Sequence, residues 1–193
     1  MLSYTDSLKI LKETNALLDG HFILSSGLRS PQYVQCAQLL SKPEKAIKIS
    51  MSLAEKIENS FKNIDIILSP AMGGIIIGHE IGRILKKETI FSERVNGVFV
   101  LRRDFKIKKG SNVLIVEDVI TTGKSSLECS KLVTEAGGNI LAFACIIDRS
   151  NSKSNLNKTI ISQIKLDIPT YDESNLPDDL SRIKPTKPGS RGI

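Results

Sequence analysis

Two neighbouring acids and a run of small polar residues follow an apolar segment in the middle of the chain. Residues 113–126 read VLIVEDVITTGKSS. Backbone N–H groups of small residues at the start of a helix bind anions, and threonine and serine hydroxyls add donors. The acids would repel a phosphate, so we expect them to face sugar hydroxyls, a metal ion or a developing positive charge. A sugar phosphate satisfies both halves of the pattern.

The predicted arrangement places a phosphate on Thr121–Ser125 and ribose hydroxyls on Glu117 and Asp118. The letters GKS do not form the nucleotide-triphosphatase loop GxxxxGK[ST], because Asp118 stands where that loop needs its first glycine. An ordinary turn with helix-capping residues is the alternative. It is disfavoured, since two acids directly after a buried strand are costly without a partner.

The elements around this segment must bring it to the end of a strand. Residues 113–116 are mostly β-branched and too few for a helix, which predicts a buried strand. After the polar residues, apolar positions recur with a period near 3.6 until Gly137 and Gly138 end the helix. The stretch therefore reads as a strand, a turn and a helix N-terminus.

Strands alternate with helices between residues 43 and 148, which predicts an α/β fold with a central parallel sheet flanked by helices. Three polar loops follow predicted strands: SPAMGG after 64–69, EDVITTGKSS after 113–116, and DRSN after 140–147. Ligands bind at the carboxyl ends of the strands in such sheets. We therefore expect the three loops to form one site.

Periodicity and turn residues predict the remaining elements. Helices are expected at 5–18, 43–59 and 75–85, extended segments at 21–27 and 30–39, and a hairpin at 88–103 that turns at Asn96 and Gly97. The apolar stripe of the second helix is predicted to comprise Ala46, Ile47, Met51, Ala54 and Ile57. The last twenty residues are rich in proline and are predicted to be a surface tail.

Composition limits the classes of protein that need consideration. A chain of 193 residues with 40% apolar content can bury one sizeable core, so we expect one domain. The net charge of +6 agrees with an anionic partner, although surface lysines that aid solubility explain it too. Aromatic residues make up 5% of the chain and no RNA-binding motif is present, which disfavours nucleic acid and leaves a small polyphosphate.

Targeting signals and cysteines indicate the compartment. The N-terminus carries charges where a signal peptide needs an apolar core, and no segment approaches the ~18 apolar residues of a membrane span. We therefore expect a cytoplasmic protein without a membrane partner. Cys36, Cys129 and Cys145 are scattered and lack a CxxC pair, which predicts buried, reduced thiols rather than disulfides or a zinc site.

The segment VLIVEDVITTGKSS resembles the phosphoribosyl-pyrophosphate motif of type I phosphoribosyltransferases. In order and spacing, GHFILSSGLRSPQYVQCAQL, SPAMGG and IIDRS resemble the orotate phosphoribosyltransferases, over roughly residues 15–150. The resemblance implies the type I phosphoribosyltransferase fold as a single domain. It would have a small N-terminal hood, mainly 1–40, a core at about 43–150, and a C-terminal strand and tail at 151–193.

The implied reaction transfers the ribosyl 5-phosphate group from phosphoribosyl pyrophosphate to a ring nitrogen of orotate. The products would be orotidine 5′-phosphate and pyrophosphate, in the synthesis of UMP and other pyrimidines. The resemblance also implies a homodimer and Mg²⁺. As a hard cation, Mg²⁺ would lie chiefly on substrate oxygens and need few protein ligands.

The resemblance also assigns site residues. Glu117 and Asp118 would be catalytic, because fixed carboxylates stabilise the positive charge that develops on the ribose. The residues expected to bind phosphoribosyl pyrophosphate are Glu117, Asp118, Val119, Ile120, Thr121, Thr122, Gly123, Lys124, Ser125, Met72, Gly73 and Arg94. Those expected to bind orotate are Thr121, Arg149, Tyr33 and Val34. From residue type alone, Arg149 could equally form an ion pair with Asp148 or Asp104.

Two departures from the family pattern are visible. Many bacterial members close a loop with lysines and a histidine over pyrophosphate, whereas residues 94–110 here contain no histidine. Candidates for the lid cations are Arg94, Arg102, Arg103, Lys106 and Lys108, and a solvated run of charge is the alternative. The second departure is Gly73, where several relatives have lysine. His21 and His79 lie elsewhere and are expected to be structural.

Two rival functions remain open at the level of sequence. A phosphoribosyltransferase acting on a purine base would keep the phosphate loop and change the base pocket, against which Arg149 and SSGLRSPQY argue. A regulatory protein could keep the phosphoribosyl pocket in order to sense nucleotides or bind RNA. The intact acid pair and the PAMGG loop favour an enzyme over that regulator.

Overall fold

The computed structural model describes residues 1–151 and 154–188; residues 152–153 and 189–193, within the predicted C-terminal segment, lie outside the described residues. Along the described chain the elements are α1 (Tyr4–Glu13), β1 (Leu17–Ile23), β2 (Arg29–Val34), α2 (Cys36–Leu40), α3 (Pro43–Ser60), β3 (Ile66–Pro70), α4 (Gly73–Leu85), β4 (Glu88–Val95), β5 (Val98–Leu101), β6 (Asn112–Ile120), α5 (Lys124–Glu135), β7 (Asn139–Asp148), β8 (Ile160–Lys165) and α6 (Asp178–Ser181).

The main sheet has the strand order β5-β4-β3-β6-β7-β8. All neighbouring strands are parallel except for the edge strand β5, which is antiparallel to β4. The predicted α/β architecture is therefore confirmed. Because β3 and β6 are neighbours although β4 and β5 come between them in sequence, the winding direction of the sheet reverses there. Ligands of open α/β sheets bind at such a point.

Helices cover both faces of this sheet. Consecutive residues of β6 point to opposite faces, as the period of a strand requires. Leu114 belongs to the core that contains Leu53 of α3, whereas Ile115 belongs to the core that contains Val133 of α5. Strands buried on both faces explain why the predicted strand segments are apolar throughout.

The predicted hairpin turn is confirmed in its details. β4 and β5 pair antiparallel up to Val95 and Val98, and Asn96 and Gly97 form the two-residue turn. Their φ angles are 51° and 83°, so both residues are left-handed, as a type I′ turn demands. The prediction that the cysteines are buried thiols is also confirmed, since Cys36, Cys129 and Cys145 are all buried and free.

The prediction of a helix over 5–18 is wrong at its C-terminal end. The helix stops at Glu13, and Asn15 has a φ of 58°, a left-handed position that ends a helix. The Oγ1 of Thr14 donates to the carbonyl oxygen of Ile10, 2.8 Å away, which satisfies one of the last carbonyls. Leu17–Ile23 then forms β1, so the predicted stop at Asp19 and Gly20 lies inside a strand.

Two further assignments need correction. The extended segment predicted over 30–39 ends at Val34, because residues 36–40 form α2 and bury Cys36, Leu39 and Leu40. In α3 the predicted residues Ala46, Ala54 and Ile57 are buried, but Met51 is 57% exposed. The buried stripe uses Ile49 and Leu53 instead, which rotates it relative to the predicted face.

The hood sheet, defined here as β1 and β2, is separate from the main sheet and antiparallel. Residues near the C-terminus join it. Arg29 and Tyr171 exchange two backbone hydrogen bonds of 2.8 and 2.9 Å, and Thr186 bonds to the backbones of His21 and Ile23 at 2.9 and 2.8 Å. The described part of the predicted tail is largely exposed, as predicted, but it is not a loose tail, because Thr186 pairs with the hood and Leu180 is only 3% exposed.

No helix in the part of the chain that the structure describes is long and apolar enough to span a membrane.

Candidate active site

The site forms where β3 and β6 lie side by side. Both strands are parallel and in register from Ile66 and Val113 onward, so their carboxyl ends reach the same edge of the sheet. β6 continues to Ile120, which pairs with Asp148 of β7. The predicted loop EDVITTGKSS is therefore wrong at its start, because Glu117 and Asp118 belong to the strand and the loop begins at Thr121. A strand holds these carboxylates more rigidly than a loop would.

Glu117 is turned toward helix α5. The hydroxyl of Ser126 donates to its Oε2 at 2.6 Å. Burial raises the pKa of Glu117 to about 7, an effect that the Ser126 hydrogen bond opposes and the neighbouring charge of Asp118 increases. Near neutral pH the free protein therefore holds this group part-protonated, ready to ionise when positive charge arrives.

Asp118 is turned toward the start of helix α4. A β-carbon built on Gly73 would stand only 2.7 Å from Asp118 Oδ1, so the first residue of α4 touches this carboxylate. The N–H of Val119 donates to the same Oδ1 at 2.9 Å. Burial also raises the pKa of Asp118, and the hydrogen bond from Val119 opposes the shift. The predicted segments SPAMGG and EDVITTGKSS thus lie side by side, with the start of α4 in contact with Asp118 of β6.

The loop between β6 and α5 has the form of an anion site. Thr121 and Thr122 are exposed, and Gly123 has a φ of 75° at the N-cap of α5. The N–H groups of the first helical turn follow directly and point at the loop. The first belongs to Lys124, which also carries a positive charge, and it donates to Thr122 Oγ1 at 3.4 Å. A side chain at residue 123 would be strained by that φ and would also meet Leu156 at 2.8 Å.

A cavity of about 750 Å³ lies between the hood sheet and the core. It brings together Tyr33 of β2, Thr121 and Thr122 of the loop, and Arg149. These are three of the four residues predicted to bind the base, together with one predicted to bind phosphate. The fourth predicted base residue, Val34, does not line the cavity and packs instead against the core that contains α3 and α4.

Arg149 follows β7 directly, and its backbone N–H donates to the carbonyl oxygen of Ile120 at 2.8 Å. Burial lowers the pKa of its guanidinium. Its Nε is buried and has no hydrogen-bond partner among the residues that the structure describes. A buried donor without a partner is costly, which indicates a ligand acceptor at this position. No ion pair with Asp148 or Asp104 is present in the described chain.

The candidate lid cations lie on and after the β4–β5 hairpin. Arg94 pairs with Glu128 of α5 at 2.6 Å and stacks on Phe99, with its guanidinium carbon 4.0 Å from the ring centroid. Its charge also lowers the pKa of Glu117, so Arg94 is electrostatically coupled to the site. Arg102 and Arg103 both pair with Glu93, at 3.7 and 3.2 Å. Lys106 and Lys108 are exposed.

Met72 precedes α4 with 84% of its surface exposed, and the Ala71–Met72 peptide bond is cis. His21 is buried and its Nδ1 donates to the carbonyl oxygen of Ile183 at 2.9 Å, a structural contact. His79 is exposed on α4. Within residues 1–151 and 154–188, His, Cys, Asp and Glu side chains form no cluster of three or more that could hold a metal ion.

The cavity contains residues that sequence reasoning did not single out. Ser25 and Ser26 belong to the turn between β1 and β2, and Lys187 belongs to the C-terminal segment. The two serines could have been found, because the segment that resembles the family includes them. No comparable signal marks Lys187, since its place depends on backbone pairing between residues 165 positions apart.

Comparison with known proteins identifies relatives along most of the chain. The family described as phosphoribosyl transferase domain matches residues 35–175. The chain is 49% identical over 181 residues to an orotate phosphoribosyltransferase of Rhizorhabdus wittichii, covering 93% of this chain and 92% of the relative. It is 46% identical to an orotate phosphoribosyltransferase of Erythrobacter litoralis, with 93% and 94% covered.

Solved structures share the fold. The crystal structure of orotate phosphoribosyltransferase from Aeropyrum pernix aligns with a TM-score of 0.72 at 24% identity, covering 82% of this chain and 92% of that one. An adenine phosphoribosyltransferase from Thermoanaerobacter pseudethanolicus aligns with a TM-score of 0.61 at 19% identity, covering 70% and 88%. The fold alone is thus compatible with more than one base.

Proposed function

The chain belongs to the phosphoribosyltransferase family, and we propose from this membership that it is an orotate phosphoribosyltransferase of pyrimidine synthesis. The similarity that carries the proposal is 49% identity across 93% of the chain to an orotate phosphoribosyltransferase. The cavity agrees with it, because Arg149 offers an anionic base a half-buried cation whose buried Nε has no partner in the described chain. A purine specificity has no comparable support among these sequence relatives, nor has a purely regulatory role.

The proposed reaction breaks the bond between the anomeric carbon of the ribose and the pyrophosphate oxygen. A new bond forms between that carbon and a ring nitrogen of orotate, whose proton is lost to solvent. Positive charge develops on the ribose as pyrophosphate departs, and carboxylates fixed close to the ring stabilise it. Glu117 and Asp118 are suited to this role, because β6 holds their backbones and their own hydrogen bonds orient them.

The residues expected to hold the 5′-phosphate are those of the loop from Thr121 to Ser125. The N-terminus of α5 supplies N–H groups, and Gly123 allows the chain to turn closely. Pyrophosphate would lie near Met72 and Gly73 at the start of α4, on the other side of Asp118. Arg94 can approach it if the ion pair with Glu128 opens.

The chemistry of the donors fits Mg²⁺, which prefers oxygen ligands. Asp118 and Glu117 are the carboxylates at hand, and the substrate itself would supply most of the oxygens. When bound, the cation would neutralise charge on the departing pyrophosphate. Its charge would also favour the ionised forms of both acids, whose pKa values burial raises in the free protein.

We also propose that the chain forms a homodimer. Large apolar side chains are exposed on the elements around the site, and their burial would favour association. They are Met72 just before α4, Ile76 of α4, Val95 and Val98 of the hairpin, and Leu127 of α5. Light scattering with Val98→Lys tests this, since a dimer formed through the hairpin should dissociate. The predicted cytoplasmic location stays a prediction.

Pyrophosphate release tests the proposed function directly. The protein is given phosphoribosyl pyrophosphate and Mg²⁺ with orotate, uracil, hypoxanthine or adenine in separate reactions. We expect release with orotate. Release only with a purine would mean that Arg149 and Thr121 bind a purine instead of orotate. Release with none of the bases would favour a regulatory protein.

A further inference from the structure

We propose that Lys187, from the C-terminal segment, is a second cation of the base pocket and binds the anionic substituent of the base. The segment formed by residues 183–188 folds back over the hood sheet, and both Lys187 and Pro188 line the cavity that contains Arg149. This inference rests on the proposed function, because it names a residue that would select the acidic substrate of that reaction.

The backbone on the N-terminal side of Lys187 is held in place by the hood. The N–H of Thr186 donates to the carbonyl oxygen of His21 at 2.9 Å, and the N–H of Ile23 donates to the carbonyl oxygen of Thr186 at 2.8 Å. The Nδ1 of the buried His21 also donates to the carbonyl oxygen of Ile183 at 2.9 Å. Three hydrogen bonds therefore fix the chain on the approach to Lys187, so its place at the cavity follows from strand pairing.

A second anchor lies earlier in the C-terminal region. Arg29 of β2 is 7% exposed, pairs with Glu173 and exchanges two backbone hydrogen bonds with Tyr171. Leu180 is also buried, and α6 lies against β1. The region from Tyr171 to Thr186 is thus attached to the hood at both ends, and the residues that flank it, Thr170 and Lys187, line the cavity.

The cavity is the part of the site where a base would lie. Tyr33, Thr121 and Arg149 line it, and these are three of the four residues to which the family resemblance assigns base contacts. Asp118 and Gly73, expected at the ribose and pyrophosphate, do not line it. A cation at this cavity is therefore placed to bind the base rather than the pyrophosphate.

The positive charge of Lys187 would help the pocket to select an acidic base. Orotate carries a carboxylate that uracil lacks, and a neutral pocket would not distinguish the two strongly. Arg149 is the other cation on the cavity wall, and it lies on the core while Lys187 lies on the hood side. A base held between them would join the two parts of the molecule by charge-assisted hydrogen bonds.

Steady-state kinetics of the full chain with Lys187→Met tests this inference. We expect the KM for orotate to rise by about 10- to 100-fold, as loss of a charged hydrogen bond predicts. The KM for phosphoribosyl pyrophosphate should stay within about twofold, and Lys187→Arg should recover most of the orotate affinity because it keeps the charge. Lys184→Met is the matched control, since Lys184 belongs to the same segment and does not line the cavity.

The outcomes separate the two proposals. An unchanged orotate KM in Lys187→Met would overturn this inference and leave the proposed function intact. A rise confined to the KM for phosphoribosyl pyrophosphate, or a rise of both KM values together with a lower melting temperature, would overturn it as well. Absence of orotate turnover in the wild-type protein would overturn the proposed function and this inference with it.

Discussion

Gly73 and Asp118 are in such close contact that a β-carbon on the glycine would stand 2.7 Å from Oδ1 of the aspartate. Asp118 lies in β6 and Gly73 begins α4, shortly after the neighbouring strand β3, at the point where the sheet reverses its winding. Any side chain at residue 73 would require the Asp118 carboxylate to move. The glycine is therefore coupled to the position of the acid.

We expect Gly73→Ala to destabilise the protein by about 1–2 kcal/mol, because the new methyl group collides with the Asp118 carboxylate. In an Asp118→Ala background the same substitution should be neutral or stabilising by up to about 1 kcal/mol, since the collision is gone and alanine favours a helix start over glycine. Urea unfolding of the four proteins measures this coupling. Equal effects in both backgrounds would contradict the contact.

Asp118→Asn should separate catalysis from stability. The amide keeps an oxygen that accepts from the Val119 N–H, and burial already raises the pKa of the acid, so the fold loses little. We expect the free energy of unfolding to change by less than about 1 kcal/mol. Turnover should fall at least about 100-fold, because an amide cannot stabilise positive charge on the ribose.

Asp104→Asn serves as the control for this substitution. Asp104 is exposed beyond the hairpin and is expected to have no part in the reaction. Its turnover should equal that of the wild type. Normal turnover in Asp118→Asn would refute the electrostatic role assigned to that residue.

Glu117 should make stability depend on pH. Burial raises its pKa from 4.5 to about 7, so between these values the native state binds more protons than the unfolded state. The free energy of unfolding therefore falls as pH rises through this window. Glu117→Gln cannot titrate, so it should match the wild type at the acid end. At about pH 8 it should be more stable by up to roughly 3 kcal/mol.

Denaturant unfolding across the pH range measures this difference, and Glu58→Gln is the control because Glu58 is exposed on α3. The control should follow the wild-type curve at each pH. Parallel curves for wild type and Glu117→Gln would mean that Glu117 is not the group that burial perturbs.

The sequence predicts the chemistry of the site better than the parts that enclose it. Glu117, Asp118 and Gly73 were expected to meet because they follow neighbouring parallel strands, and local patterns are enough to predict such strands. The Asn96-Gly97 turn was equally predictable, since only left-handed residues fit it. These predictions depend on residues close together in the sequence.

The parts of the fold that the sequence does not predict depend on contacts between residues far apart in the chain. The predicted first helix is too long because Leu18 continues its apolar period, and only pairing with Tyr33 shows that Leu18 belongs to β1. Prolines interrupt the C-terminal segment, which is why the sequence predicts a tail there. Its order comes from backbone bonds between Thr186 and the hood strand, which leave no periodic signal in the side chains.

Arg149→Met should weaken orotate binding far more than the binding of phosphoribosyl pyrophosphate. The buried Nε is without a partner in the described chain, so the guanidinium meets its acceptor only when the base is bound. We expect the KM for orotate to rise at least about 30-fold, which corresponds to roughly 2 kcal/mol for a charged hydrogen bond. Arg149→Lys should recover only part of this, because a single ammonium cannot reproduce the planar fork.

Arg83→Met is the matched control, since Arg83 is exposed and pairs with Glu80 on α4. It should leave both KM values unchanged. Isothermal titration with orotate in the presence of pyrophosphate and Mg²⁺ would measure the same loss without turnover. If Arg149→Met bound orotate as tightly as the wild type, the buried guanidinium would have a structural partner in the assembled protein, and the base would have to be recognised from the hood side of the cavity alone.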